Sequence, residues 1–256
     1  MTPDTGPWTP LEDRRLGRAA LRRLLMEEVS PSEFDRTAYL AAGETDASEG
    51  GDELSRAVAR DSQVLDLSSS KTGVVVFAGP DRALAVNPPF PVKESRTSDT
   101  FDAAPLLRML EAEPLVGVIL LRLGHYAAGV VRGETIVASK SGSRYVKNRH
   151  RKGGSSQRRF ERSRERLVRE LYDKACEVAG GVFSPYAGRI DYVMLGGERH
   201  TLDGFLKRCR LLRELSSRTL ARRLPVERPG RKALDDATRE MWRSRVVTFE
   251  RRGDAP

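Results

Sequence analysis

Residues 116–139 have the sequence VGVILLRLGHYAAGVVRGETIVAS, and this stretch decides the fold of the chain. Its three apolar runs cover Val116–Leu123, Tyr126–Val131 and Thr135–Ser139. The turns between the runs are short and contain glycine, at Gly124-His125 and Arg132-Gly133. Short apolar runs joined by such turns are typical of hairpins, so the stretch predicts an antiparallel meander of three strands.

The residues after the meander predict a mixed α/β fold. From Gln157 onward, apolar residues recur at helical spacing until a break at Gly180-Gly181. Three further elements follow: the strand Ile190–Leu195, a helix from Thr201 or Asp203 to Leu215, and the strand Arg245–Phe249. A meander followed by helix, strand, helix and strand is an element order of the ribonuclease-H-like kind.

The residues before the meander predict two strands, Gly73–Phe77 and Leu84–Asn87, and a short helix over about Pro105–Ala112. Further upstream, Thr9-Pro10-Leu11-Glu12 has the form of a capping box with proline at the first helical position. It predicts a helix that continues to Leu25.

A second helix start at Ser30-Pro31 predicts a helix to Tyr39, followed by an acidic loop at 43–52 and another helical piece at 53–59. We therefore expect residues 1–65 to form a helical extension. Residues 66–256 would form one α/β domain around the meander, with helices flanking the sheet.

The composition indicates a globular protein without a membrane segment. With 39% apolar residues among 256, the chain can bury a core. The first fifteen residues lack a basic start followed by an apolar run, and Leu115–Leu121 is too short to span a bilayer. Cys176 and Cys209 lie far apart in two helical patterns, which predicts two buried free thiols in a reducing compartment. We expect a cytoplasmic monomer.

The positive charge of the chain is concentrated in residues 140–169, KSGSRYVKNRHRKGGSSQRRFERSRERLVR. This segment holds twelve Lys/Arg and two Glu, whereas the whole chain carries a net charge of +9. Its middle, Gly153-Gly154-Ser155-Ser156-Gln157, is uncharged. A glycine-containing tip between basic flanks indicates a loop that enters a phosphate-rich environment. The amide of Gln157 can orient a water or stabilise an oxyanion, but it cannot act as a base at neutral pH.

The tip and its context resemble the catalytic middle domain of eukaryotic and archaeal peptide-release factors, which carry a GGQ tip between a meander and a basic helix. The resemblance is closer to the Vms-like release factors, whose motif has the spacing G-x-x-Q that Gly154-Ser155-Ser156-Gln157 matches. It covers roughly residues 70–250 and fits the actinobacterial-type branch. Two serines replace the strict triplet, which argues against codon-directed termination.

The resemblance implies a ribonuclease-H-like fold and a peptidyl-tRNA hydrolase. Such a protein would cleave the ester between nascent peptide and tRNA on stalled, split large ribosomal subunits, in ribosome-associated quality control, without a cofactor or metal. It implies a catalytic site at the tip, in which Gln157 and Gly154 match the key residues of the family and Gly153, Ser155 and Ser156 complete the site. The tRNA acceptor end and ribosomal RNA would be held by the basic flanks: Arg144, Lys147, Arg149, His150, Arg151, Lys152, Arg158, Arg159 and Arg162.

Several alternatives stay open from sequence alone. Gly-Gly-Ser-Ser is also the composition of a flexible linker, and the arginines after Gln157 also fit the solvated face of a helix. Tyr145 fits either stacking on a base or packing in the core. The chain could be a non-catalytic RNA-binding or ribosome-associated factor, or a nuclease that cuts the 3′ end of tRNA. A metal nuclease needs clustered carboxylates, and the strands offer only Glu134 and Asp191.

Overall fold

The computed structural model describes residues 8–43, 70–146 and 157–251. They form two compact units. One unit contains the described residues up to Ala112 together with those from Met241 onward, and the other is Glu113–Glu240. The expected domain boundary at residues 65 and 66, the acidic loop from residue 44 onward and the helical piece at 53–59 lie outside the described residues.

The unit Glu113–Glu240 is built on a five-stranded mixed sheet. Its meander consists of β6 (Leu115–Arg122), β7 (His125–Arg132) and β8 (Thr135–Ser143), which pair antiparallel as predicted. Strands β9 (Tyr192–Gly197) and β10 (Thr219–Leu224) continue the sheet parallel to β6, in the order β10-β9-β6-β7-β8. The mixed α/β class with flanking helices is confirmed, and the strand order is of the ribonuclease-H-like kind.

Four helices accompany this sheet. They are α3 (Gln157–Phe183), α4 (Arg199–Arg208), α5 (Arg210–Glu214) and α6 (Arg231–Glu240). The buried face of α3 presents Leu171, Ala175 and Val178 to a core that also contains Ile119 and Val193 of the sheet. Leu234 of α6 packs against Gly129 of β7, on the face of the sheet opposite to α3. Gly129 lies on that face because successive residues of a strand alternate between the two faces.

The C-terminal end of α3 is fixed by a close approach to β6. A Cβ on Gly117 would lie 2.7 Å from Cζ of Phe183, so only glycine leaves room for this buried ring. Helix α3 continues through Gly180 and Gly181, so the predicted end of the helix there is wrong. Burial of Phe183 extends the helix beyond the two glycines, which weaken a helix but do not stop it.

The other unit contains a six-stranded antiparallel sheet in the order β1-β11-β4-β3-β2-β5. Its strands are β1 (Trp8–Leu16), β2 (Arg36–Leu40), β3 (Val74–Ala78), β4 (Arg82–Asn87), β5 (Arg96–Ser98) and β11 (Ser244–Arg251). The helices are α1 (Arg18–Arg23) and α2 (Ala104–Glu111), and a π-helical turn covers Leu24–Glu28. Strands β3 and β4 and helix α2 agree with the sequence prediction.

The predicted N-terminal helices are wrong for most of their length. Trp8–Leu16 is a strand that pairs with β11, and Asp13 accepts bonds from Arg245 of that strand at 2.8–3.1 Å. Leu11, expected in a helix, sits at a register shift in β1 and is 53% exposed. Pairing with a strand more than 200 residues away overrides the capping signals at Thr9–Glu12. Only Arg18–Arg23 and the π-helical turn after it are helical there.

The second predicted helix, from Ser30 to Tyr39, is also wrong. A short 3₁₀ turn covers Pro31–Glu33, and β2 follows between β3 and β5. Thr37, Ala38 and Tyr39 are all buried in that strand, which is possible only between two covered faces. The residues before 44 therefore belong to a sheet with β3, β4 and β11 and do not form a helical extension.

Three elements in the C-terminal part of the chain also differ from the prediction. The predicted last strand exists as β11, but it belongs to the six-stranded sheet. The fifth strand of the meander sheet is β10, which has no clear sequence signal because TLARRL has two arginines and lies half-exposed at the sheet edge. The helix expected up to Leu215 is divided into α4 and α5 at Cys209, whose backbone is extended.

The prediction of two free thiols is wrong. Cys176 of α3 and Cys209 between α4 and α5 form a disulfide, with Cα atoms 5.5 Å apart. The two residues are 33 positions apart, and both contact the same apolar core. Spacing alone gave no sign that these helices are neighbours. In the chain-entropy model, closing a loop of this length stabilises the folded state by about 3–4 kcal/mol.

Across the ranges that the structure covers, no helix combines the length and apolar character needed to cross a membrane.

Candidate functional site

The basic segment connects β8 to α3. Strand β8 ends at Ser143, and α3 begins at Gln157. Nine of the predicted site residues lie between them, outside the described residues: Lys147, Arg149, His150, Arg151, Lys152, Gly153, Gly154, Ser155 and Ser156. The backbones of Gln157 and Arg158 form the first two residues of α3. The roles of all these residues remain predictions.

The two flanks of the segment are joined by an ion pair. Arg144, directly after β8, donates from Nη2 to Oε2 of Glu170 on α3 at 3.0 Å. The other oxygen of Glu170 lies 3.8 Å from Nε of Arg166. The backbone N–H of Arg144 also donates to the carbonyl of Gly124 at 2.9 Å. Residue 144 is therefore fixed both to the β6–β7 turn and to α3.

The first turns of α3 extend beyond the end of the sheet. Glu170 meets the chain where β8 ends, and Phe183 meets the start of β6, so α3 runs antiparallel to β8. The thirteen steps from Gln157 to Glu170 correspond to about 20 Å of helix. Val168 is the first α3 residue packed against the core, whereas Arg159 and Arg162 are exposed. The helix thus carries Gln157 well away from the sheet.

The projecting part of α3 has one strongly basic face. Arg159, Arg162, Arg166 and Arg169 are exposed and follow one another at spacings of three and four, which places them on one side of a helix. The ion pairs of Arg166 with Glu170 (3.8 Å) and Arg169 with Glu165 (3.9 Å) are long and solvent-exposed, so they neutralise little of the positive charge of this face.

This charge order opposes the helix macrodipole. The first turn of α3 contains no acidic residue, although the positive end of the dipole favours anions there. Acidic residues lie further along, where the hydrogen bond from Arg208 lowers the pKa of Asp173 and the one from Lys174 lowers the pKa of Glu177. Cations at the N-terminus of the helix cost stability, and a bound polyanion offsets that cost.

Gln157 occupies a position that suits the stabilisation of negative charge. The first four N–H groups of an α-helix have no partner within the helix, and they carry its partial positive charge. Gln157 is the first helical residue of α3. Its backbone N–H is one of these groups.

The carboxylates considered for a metal nuclease lie elsewhere. Asp191 accepts a bond from the N–H of Leu115 at 2.8 Å, at the start of β6. Glu134 lies in the β7–β8 turn, and β7 ends opposite the start of β6. Both are therefore at the end of the sheet opposite the basic segment. Among the described residues, no group of three or more His, Cys, Asp and Glu side chains could hold a metal ion.

The sequence pattern alone did not predict the environment of three residues in or beside the basic segment. Glu170 lies just outside the basic segment, and its only sequence signal was the spacing of four from Arg166. Tyr145, for which base stacking and core packing stayed open, is 73% exposed, so core packing is excluded. Phe160, expected on the apolar face of the helix, is 47% exposed because it lies in the part of α3 that projects beyond the sheet.

Comparisons with known proteins agree with the resemblance. A family model described as the Actinobacteria/Chloroflexi VLRF1 release factor matches residues 114–247. The "Peptide chain release factor subunit 1" of Archaeoglobus fulgidus is 31% identical over 153 residues, which cover 58% of this chain and 38% of that protein. The protein of the same name from Thermococcus sibiricus is 30% identical over 163 residues, 59% of this chain and 39% of that protein.

Among solved structures, the archaeal translation termination factor aRF1 is similar with a TM-score of 0.41 and 20% identity, covering 89% of this chain and 73% of that one. The chain spans about two fifths of the length of the curated relatives that it matches.

Proposed function

Since the chain belongs to the Actinobacteria/Chloroflexi VLRF1 release factor family, we propose that it is a peptidyl-tRNA hydrolase with Gln157 in its active site. Its substrate would be the ester between a nascent peptide and the 3′ ribose of tRNA on a stalled, split large ribosomal subunit. The protein would work as a monomer in the cytoplasm. The observation that carries the proposal is the position of Gln157, at the tip of a helix that projects from the sheet and bears a basic face.

The proposed reaction is attack of water on the ester carbonyl. The water oxygen bonds to the carbonyl carbon, and the bond to the ribose oxygen breaks. One proton of the water goes to the leaving ribose oxygen and the other to solvent, leaving a peptide carboxylate. Gln157 would orient the water with its side-chain amide and stabilise the oxyanion with its backbone N–H. Neither step requires Gln157 to change its protonation state.

The basic flanks would hold the RNA. Arg144, Arg158, Arg159 and Arg162, together with the cations of residues 147–152, would contact phosphates of the tRNA acceptor end or of ribosomal RNA. Arg166 and Arg169 extend the same exposed face of α3 and would contribute to it. The reversed charge order of α3 supports this role, since the helix gains from an anion near its first turns.

The test uses stalled nascent-chain–tRNA complexes on large ribosomal subunits, incubated with the wild type, Gln157→Ala or a control, Arg213→Gln. Arg213 is an exposed residue of α5, the helix that follows Cys209. Cys209 is bonded to Cys176 of α3, which lies about 25 Å along that helix from Arg159. We expect free peptide and tRNA of unchanged length with the wild type and the control only.

Two other results would assign another function. Shortened tRNA would identify a nuclease that cuts the 3′ end. Binding of all three proteins to the particle without any product would identify a non-catalytic RNA-binding factor.

A further inference from the structure

Tyr145 is the most exposed of the large apolar side chains in the described residues, at 73%. Single exposed apolar residues are common and usually need no explanation. Tyr145 differs because its backbone is fixed on both sides. The preceding residue, Arg144, is bonded to Gly124 and to Glu170, and the following residue, Val146, packs against the core of the sheet. The chain therefore presents an aromatic ring to solvent from an anchored position.

A fixed, exposed ring is suited to binding a flat partner. An aromatic side chain has few rotatable bonds, and an anchored backbone lowers the entropy lost when a ligand orders it. Tyr145 directly follows Arg144, and Arg144 contacts α3 at Glu170, in the same turn as Arg166 and Arg169. Tyr145 thus lies in the most basic part of the chain, next to the residue that contacts α3.

The partner that combines negative charge with flat apolar groups is single-stranded RNA. Its phosphates suit the arginines, and its unstacked bases can lie on an aromatic ring. Duplex RNA hides its base faces, and an acidic protein surface would use the arginines without needing the ring. We propose that Tyr145 is a stacking platform for an unpaired base of bound RNA. This inference rests on the proposed function, in which that base belongs to the unpaired 3′ end of the tRNA.

The test measures binding of a fluorescent single-stranded RNA of about ten nucleotides and of an abasic RNA backbone of equal length. Tyr145→Ala should weaken binding of the RNA by about tenfold, since each stacked base contributes about this much. It should leave binding of the abasic probe unchanged. Tyr145→Phe keeps the ring and should bind both probes like the wild type. In Tyr145→Trp, the new indole fluorescence should be quenched by the RNA but not by the abasic probe.

Thermal unfolding of each variant shows whether it is folded before its binding is interpreted. Equal binding of the RNA by Tyr145→Ala and the wild type would overturn the inference. So would an equal loss on both probes, which would show a contribution to charge or structure instead of stacking. A wild type that binds neither probe would overturn it as well.

The inference and the proposed function can fail separately. Base-dependent binding through Tyr145 without peptide release by the wild type would refute hydrolysis and leave the stacking platform. Peptide release with no base dependence at Tyr145 would refute the platform and leave hydrolysis. Gln157→Ala should bind the RNA like the wild type, because its contribution is assigned to the ester.

Discussion

Nη2 of Arg144 lies 3.0 Å from Oε2 of Glu170, and this contact joins the chain entering residues 147–156 to the helix that leaves them. Glu170 also lies 3.8 Å from Arg166, so one carboxylate faces two guanidinium groups. Both arginines are close to half exposed or more, which limits the contribution of the pairs to stability. The contact instead fixes the position of Arg144, at the start of the basic flank that leads to the tip, relative to α3.

Glu170→Gln should separate binding from catalysis. Loss of the carboxylate frees two positive charges, so binding of single-stranded RNA should be equal or tighter. The tip would be placed less accurately, so single-turnover peptide release from saturated complexes should fall by about tenfold. The free energy of unfolding should change by less than about 1 kcal/mol. Weaker RNA binding with unchanged release would contradict this role for Glu170.

The exposed arginines of α3 should determine the salt dependence of RNA binding. Each phosphate contact to single-stranded nucleic acid contributes about −0.7 to the slope of log K against log salt. Arg159→Gln and Arg162→Gln should each reduce the slope by about that amount. The matched control Arg213→Gln should leave it unchanged. Identical slopes for all three variants and the wild type would show that this face of α3 does not contact phosphate.

Two glycines near the C-terminal end of α3 should respond oppositely to alanine. In Gly117→Ala, the new methyl group would lie 2.7 Å from the buried ring of Phe183, so we expect a loss of about 1–3 kcal/mol in unfolding free energy. Gly180 lies within the helix, and a Cβ there meets no atom within 4 Å. Gly180→Ala should therefore stabilise the protein by about 0.5–1 kcal/mol. Urea unfolding measures both, and equal effects would refute the packing described here.

The pair between Asp173 and Arg208 should add a pH-dependent part to stability. Two hydrogen bonds, of 2.5 and 2.7 Å, lower the pKa of Asp173 in the folded state. A lowered carboxyl pKa stabilises the fold above the unfolded pKa of about 3.9, and this stability is lost as the pH falls through the folded pKa. The pair is exposed, so its contribution is at most about 1 kcal/mol.

The comparison is between the wild type and Asp173→Asn, with unfolding free energy measured at a series of pH values and constant ionic strength. The difference should be largest near neutral pH and should shrink to zero in acid. Arg208→Gln should give the same profile, since it removes the same pair. A difference that does not depend on pH would show that the two residues contribute by packing alone.

The sequence predicted the elements whose signals are local. The meander was visible because its strands are continuous apolar runs with glycine turns, and α3 because its apolar residues recur at helical spacing over many turns. Strand β1 was missed because its partner, β11, is more than 200 residues away, and this long-range pairing overrides the local capping pattern at Thr9–Glu12. Strand β10 was missed because an edge strand needs few apolar residues.

The charge of the candidate site could be predicted from the sequence, but the geometry of the site could not. The basic segment and its uncharged tip were evident, because charge is a property of sequence. The contact between Arg144 and Glu170, the exposure of Tyr145 and the neighbourhood of Cys176 and Cys209 depend on how α3 lies on the sheet. No local pattern contains that information, since each contact joins residues 26 or more positions apart or reflects burial by distant elements.

The most direct test of the central claim compares Gln157→Ala with Gln157→Pro in single-turnover release from isolated nascent-chain–tRNA complexes. Both variants lack the side-chain amide. Proline also removes the backbone N–H, yet it is tolerated at the first position of a helix. We expect Gln157→Ala to release peptide about a hundredfold more slowly than the wild type, and Gln157→Pro to be slower still. Release at the wild-type rate by both variants would show that Gln157 is not part of the active site.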